Sequence, residues 1–120
     1  MLRDPTYLVD ILVEAKLILE FTQGIDQETF NLDKLRQHGV ERSITIIGEA
    51  VRRLSDEFKN AHPEIAWQQI IGMRNILIHD YNNVKLKVMW EVVLTDIPAL
   101  IKQIEPFIVP DMDQPDQSEG

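Results

Sequence analysis

The stretch Met73-Arg74-Asn75-Ile76-Leu77-Ile78-His79-Asp80-Tyr81 sets an arginine, an amide, an imidazole and a phenol into an otherwise apolar segment. Read together with Trp67, Ile70 and Ile71 as one helix, at about 100° per residue, it has a clear apolar face. With Arg74 at zero, Met73, Leu77, Ile70, Trp67, Ile78 and Ile71 fall on an arc from about 260° round to about 60°. Arg74 then lies in the middle of that arc, and Tyr81, seven residues on, almost directly beneath it. Asn75 and His79, spaced i,i+4, line one shoulder. An unpaired charge in an apolar interior is costly. Arg74 is therefore expected to be paired inside, or to face a cleft or a second subunit.

On either side of this segment the chain reads as helices. Residues 4–22 carry Tyr7, Leu8, Ile11, Leu12, Ala15, Ile18 and Leu19 at spacings of three and four, with Asp4 as the expected N-cap, Pro5 in the first turn and Gly24 as the stop. Asp26 offers a cap for a short helix through about Gln37, with Phe30, Leu32 and Leu35 as its apolar contacts and Gly39 as the break after it. From Glu41 to about Asn60 the seam Ile44, Ile47, Val51, Leu54, Phe58 has the three-four spacing of bundle packing. Gly48 and Ala50 beside that seam allow close helix approach, while Arg52 and Arg53 read as a solvated face. His62-Pro63-Glu64 is a loop, and Trp67 opens the segment already described. Asp80-Tyr81-Asn82-Asn83 has the composition of a turn. Val84 to Ile108 forms the last helix, on Val88, Met89, Val92, Val93, Ile97, Leu100, Ile101, Ile104 and Phe107, with a kink expected at Pro98. The expected fold is all-α: an antiparallel bundle of four main helices plus one short helix over residues 1–109. Residues 110–120, acidic and carrying two prolines, are expected to form a disordered tail. No strand pattern, internal repeat or glycine-rich phosphate loop is present.

Composition narrows the function. The 120 residues include no cysteine, which excludes disulfides, thiolate chemistry and cysteine-ligated zinc. Acids and lysine interrupt every apolar run near the start, and no run approaches the length of a membrane helix, so a cytoplasmic protein is expected. Net charge is −8. Four of the 20 acids lie in residues 111–120, which contain no base; the preceding residues carry 16 acids against 12 bases, a balance of −4. Such a chain does not bind nucleic acid through bulk counterion release and needs a local positive site to do so.

Arginine and histidine without metal ligands can cut RNA. The guanidinium fork can hold the scissile phosphate and stabilise charge in the transition state. The imidazole, titrating near neutrality, can move the proton of the 2′-hydroxyl, which leads to a 2′,3′-cyclic phosphate without a divalent ion. One histidine does not readily serve as both base and acid, so a two-fold dimer bringing two copies together is expected. His38 and His62, in or near loops, read as structural. Other roles remain for the same residues: His79 as a structural histidine, and Tyr81 as a cation–π or hydrogen-bond partner of Arg74 within the bundle.

The arrangement Arg74-x-x-x-x-His79-x-Tyr81 resembles the signature of the HEPN superfamily, in particular the HepT toxins. The resemblance extends to Ile47-Gly48-Glu49-Ala50, Trp67-x-x-Ile70, Ile71-Gly72-Met73-Arg74-Asn75 and Met89-Trp90-Glu91, and covers residues 1–108. It implies an all-helical homodimer acting as a metal-independent endoribonuclease toxin, with Arg74 and His79 catalytic and Asn75 supporting. It also implies a partner, a minimal nucleotidyltransferase antitoxin of the MNT type, that neutralises the toxin by adenylylating Tyr81. No metal site, cofactor or membrane contact is expected. A non-catalytic HEPN module that partners a nucleotidyltransferase or binds a nucleotide is the alternative.

Overall fold

The computed structural model describes residues 3–77 and 84–119, with side chains through residue 75 and over residues 85–108. The chain forms α1 (Asp4–Thr22), α2 (Gln27–Leu32), α3 (Lys34–Arg53), α4 (Asp56–Ala61) and α5 (Trp67–Gly72), which tightens into a 3₁₀ turn over Met73–Leu77. Then come α6 (Val84–Glu91), a π turn over Val92–Asp96 and α7 (Ile97–Glu119). Among the described residues there is no strand, and the all-α expectation holds. No helix is long and apolar enough to cross a membrane among those residues.

Three contacts along α1 fix its direction against α3. Asp4 meets Ser55, Glu14 accepts a 2.8 Å hydrogen bond from the Ser43 hydroxyl, and Gly39 packs on the Phe21 ring. The helices therefore run antiparallel. α7 returns along α1, tied at the surface by Lys16 to Glu105 at 3.3 Å. The interior holds Leu8, Ile11, Leu12, Ala15 and Ile18 of α1, the seam Ile44, Ile47 and Val51 of α3 with Leu54 just beyond it, and Met89, Val92, Val93, Ile97, Leu100 and Ile104 from the last third of the chain. Most residues of the expected stripes are in this core, and Tyr7, Leu19, Phe58, Val88, Ile101 and Phe107 pack against it partly buried. Aromatic contacts close both ends. Phe30 meets Trp90 at 5.2 Å, and Phe58, His62 and Phe107 stack within 4.6–5.1 Å of one another.

The element boundaries differ from expectation where side-chain caps override glycine. Asp33 caps α3 by accepting from the Arg36 amide at 3.1 Å, so the short helix ends at Leu32, and α3 runs straight through Gly39. Gly39 is no break: a Cβ there would stand 3.0 Å from two carbons of Phe21, so its bare backbone admits the ring. Ser55 likewise ends the Glu41–Asn60 reading by capping α4, its hydroxyl accepting from the Phe58 amide at 3.0 Å. Leu32 and Leu35, expected as apolar contacts, are 86% and 83% exposed; only Phe30 of that trio is buried. At Pro98 the kink gives way to the π turn ahead of it, where the Ile97 amide reaches the Val92 carbonyl five residues back. The wider turn relieves the proline ring's conflict with the preceding carbonyls. The backbone of α7 continues through Glu119, across the stretch expected to be a disordered tail; extending a docked helix is far cheaper than nucleating one.

Asp4 is not the N-cap of α1, a place held by Arg3 without a side-chain bond. Its two carboxylate oxygens instead accept from the Ser55 amide at 2.8 Å and the Ser55 hydroxyl at 2.7 Å. This ties the start of α1 to the cap of α4. Burial acts to raise the Asp4 pKa, but the Ser55 hydrogen bonds outweigh it and hold the carboxyl below its ordinary 3.8. A lowered carboxylate pKa stabilises the fold above the unfolded value and ceases to do so as pH falls through the folded one. Asp4→Ala should therefore cost about 1 kcal/mol at neutral pH, the low end for a partly exposed charged hydrogen bond. Urea midpoints of the two proteins should differ at pH 7 and converge below pH 3.8. A gap that persists in acid would mean Asp4 acts by packing alone.

Candidate active site

The segment singled out by its sequence follows α4. The Trp67 indole donates to the Lys59 carbonyl at 3.1 Å and the His62 carbonyl at 3.0 Å, which pins the start of α5 to the end of α4. From there the buried positions step by three: Trp67, Ile70 and Met73 are 7%, 8% and 6% exposed. Steps of three match the approach to the 3₁₀ turn, whose three residues per turn rotate the chain faster than an α-helix does. Met73 takes an inward position, and Arg74 beside it is half-buried.

The aliphatic stem of Arg74 lies against α3 at Gly48. A Cβ at Gly48 would stand 3.3 Å from Arg74 Cδ and 3.6 Å from Cγ. Long basic side chains commonly lay their methylenes on a packed surface while the charged head reaches toward water. Among the described residues no carboxylate lies within ion-pair distance of the guanidinium. Asn75 is exposed beside it. His79 and Tyr81 lie outside the described residues, so the structure places two of the four expected site residues, Arg74 and Asn75.

Of the other histidines, His62 lies in the loop after α4, held in the aromatic cluster with Phe58 and Phe107, whereas His38, expected in or near a loop, lies inside α3, exposed and 3.9 Å from Glu41. Arg52 and Arg53 are exposed at the end of α3. Among the described residues no group of three His, Asp or Glu side chains has metal-holding geometry. Among the described residues one carboxyl is raised above its ordinary pKa. Asp96, in the π turn, is pushed above its ordinary pKa by burial and then by the charge of Glu91. It lines a cleft of about 150 Å³ with Ile70 and Met73. That cleft meets the inward side of α5, whereas Arg74 rests on α3. The contribution of Gly48 was legible only as close helix approach; a glycine inside a well-formed helical seam, where alanine is the better helix former, was the available signal.

Comparison with known proteins gives the site its context. Residues 11–107 match the family model described as "Ribonuclease HepT-like". The chain is 44% identical over 99 residues, 82% of its length and 90% of the relative's, to a Thermococcus cleftensis protein named "Probable ribonuclease HepT". It is 40% identical over 102 residues, 85% of this chain and 91% of the relative, to "Putative RNase TTE0752" of Caldanaerobacter subterraneus. It is 37% identical over 99 residues, 82% and 91%, to "Putative RNase MJ1380" of Methanocaldococcus jannaschii. No solved structure matches the chain. A match over most of the chain, with Arg74, Asn75, His79 and Tyr81 all inside it, means that this protein belongs to the ribonuclease HepT-like family.

Proposed function

We propose that the protein is a metal-independent endoribonuclease, the toxin of a toxin–antitoxin pair, acting as a homodimer in the cytoplasm. The observation that carries the reading is the family match over residues 11–107, which takes in the whole Arg74–Tyr81 segment. Arg74, its stem braced on Gly48, grips the non-bridging oxygens of the scissile phosphate with its fork. His79 takes the proton from the 2′-hydroxyl, and the freed oxygen attacks phosphorus. The bond to the 5′-oxygen breaks, and that oxygen takes a proton from the His79 of a second copy. The products are a 2′,3′-cyclic phosphate and a 5′-hydroxyl. Asn75 supplies an amide donor beside the same phosphate. The half-buried position of Arg74, in the 3₁₀ turn that follows α5, suits a cleft shared by two copies.

Neutralisation falls to a nucleotidyltransferase partner of the MNT type, which transfers AMP to the Tyr81 hydroxyl. Control of an RNA-cutting enzyme through a covalent switch also fits a chain of net charge −8, because its RNA affinity rests on few local cations.

The test is cleavage of a defined RNA in EDTA. Full activity is expected, with 2′,3′-cyclic phosphate ends by mass spectrometry, from a species that light scattering sizes as two copies. Activity abolished by EDTA and restored by magnesium or manganese would remove Arg74 and His79 as the whole machinery.

A further inference from the structure

We infer that Gly48 is a positioning residue for Arg74, and that its missing side chain sets where the guanidinium is aimed. The inference rests on the reading of Arg74 as the phosphate-binding group. Gly48 lies within α3 and is buried, where a glycine weakens the helix. It is not there to make a turn, since no positive φ is recorded for it. What the absent Cβ does is geometric. The stem of Arg74 occupies the space above the Gly48 α-carbon, so that even one methyl would come 3.3 Å from Cδ and 3.6 Å from Cγ. The Ile71 carbonyl, at 3.7 Å from the same point, is at ordinary contact distance and is not displaced. A methyl at Gly48 therefore acts on one neighbour, the arginine, and lifts its stem off α3 by a few tenths of an ångström.

Such a shift matters at a phosphate clamp. A fork that meets two oxygens depends on its plane and reach, and a displacement of about 1 Å can cost about a hundredfold in rate. Gly48→Ala should thus lower kcat about tenfold, while thermal unfolding stays equal or moves upward because alanine favours the helix. Binding gives the second readout. In a His79→Ala background, where RNA is held and not cut, fluorescence anisotropy reports affinity for a labelled oligonucleotide. Gly48→Ala should weaken it several-fold there. With Arg74→Ala also present, Gly48→Ala should change nothing further, since the group it disturbs is gone; that non-additivity marks a contact between the two positions.

The outcomes separate cleanly. If Arg74→Ala neither slows cleavage nor weakens binding, the reading of Arg74 fails, whatever Gly48 does. If Arg74→Ala is inactive and Gly48→Ala cleaves as the unaltered protein does, the positioning role is wrong and the reading of Arg74 stands. Equal binding losses from Gly48→Ala with and without Arg74 would assign Gly48 to general packing and overturn the role. Should Gly48→Ala lower the melting temperature, the pair again decides: recovery on adding Arg74→Ala supports the contact, and continued loss overturns it.

Discussion

Arg74→Ala and His79→Ala should each abolish most RNA cleavage while leaving a folded protein. Removing a group that stabilises developing transition-state charge typically costs about 10²–10³ in rate, and removing a general acid–base about 10²–10⁴. The loss at Arg74 should fall on kcat, because a fork aimed at the phosphate gains strength as charge builds on its oxygens. Arg74→Lys should keep the charge and lose the bidentate geometry, leaving activity between the two. The fold should tolerate these changes. Met73, not Arg74, fills the inward position next to Ile70, so trimming the arginine opens no hole in the core. Thermal melts of the variants should stay close to that of the unaltered protein, and expression of His79→Ala should be harmless to a host that the active chain poisons. A folded Arg74→Ala protein with undiminished cleavage would leave the family's RNA chemistry to other residues.

The same segment shows how far sequence periodicity reaches. The stripes in α1, α3 and α7 were legible because those helices keep a regular α period against a single core, so spacing alone found Ile11, Ile18, Ile44, Ile47 and Ile104. Two boundaries were misread for different reasons. Gly39 reads as a stop only if backbone freedom is weighed without its neighbours; the Phe21 ring in contact with it gives that glycine a packing reason inside a continuous helix. The real boundaries sat in side-chain caps, Asp33 and Ser55, each accepting an amide three residues on. Ser55 followed by two acids, Asp56 and Glu57, is a legible start signal that a strong seam running on to Phe58 obscures.

For the site, the sequence marks Arg74 as a cation on an apolar face, and the structure finds it half-buried with its stem on α3. A wheel drawn at one constant angle cannot register the change to a 3₁₀ turn at Met73, which turns each residue by about 20° more than the α-helical step. Half-burial accounts for a cation in this apolar segment, because its stem lies on Gly48 while a long basic side chain can carry its charged head toward water.

Tyr81→Phe should keep the ribonuclease active and release it from its antitoxin. Phenylalanine preserves the ring and removes only the oxygen that would accept AMP, so the proposed catalytic pair Arg74 and His79 is untouched. Co-expression with the nucleotidyltransferase should rescue hosts carrying the unaltered toxin and fail to rescue those carrying Tyr81→Phe. Intact mass should show the gain of AMP on the unaltered chain and on His79→Ala, and none on Tyr81→Phe. The physical basis is charge as much as bulk. On the proposed mechanism, a phosphodiester on Tyr81, seven residues from Arg74 in sequence, would offer a negative group to a guanidinium with no ion-pair partner among the described residues. It can occupy the fork that would otherwise grip the RNA backbone. On a chain already at −8, each added negative charge near the one motif cation also repels the substrate. Inhibition should then weaken at high salt less than RNA binding does, because the modifying phosphate is tethered and the RNA is not. If the nucleotidyltransferase silences Tyr81→Phe as well as it does the unaltered toxin, inhibition is simple occlusion by the bound partner, and the tyrosine is no switch.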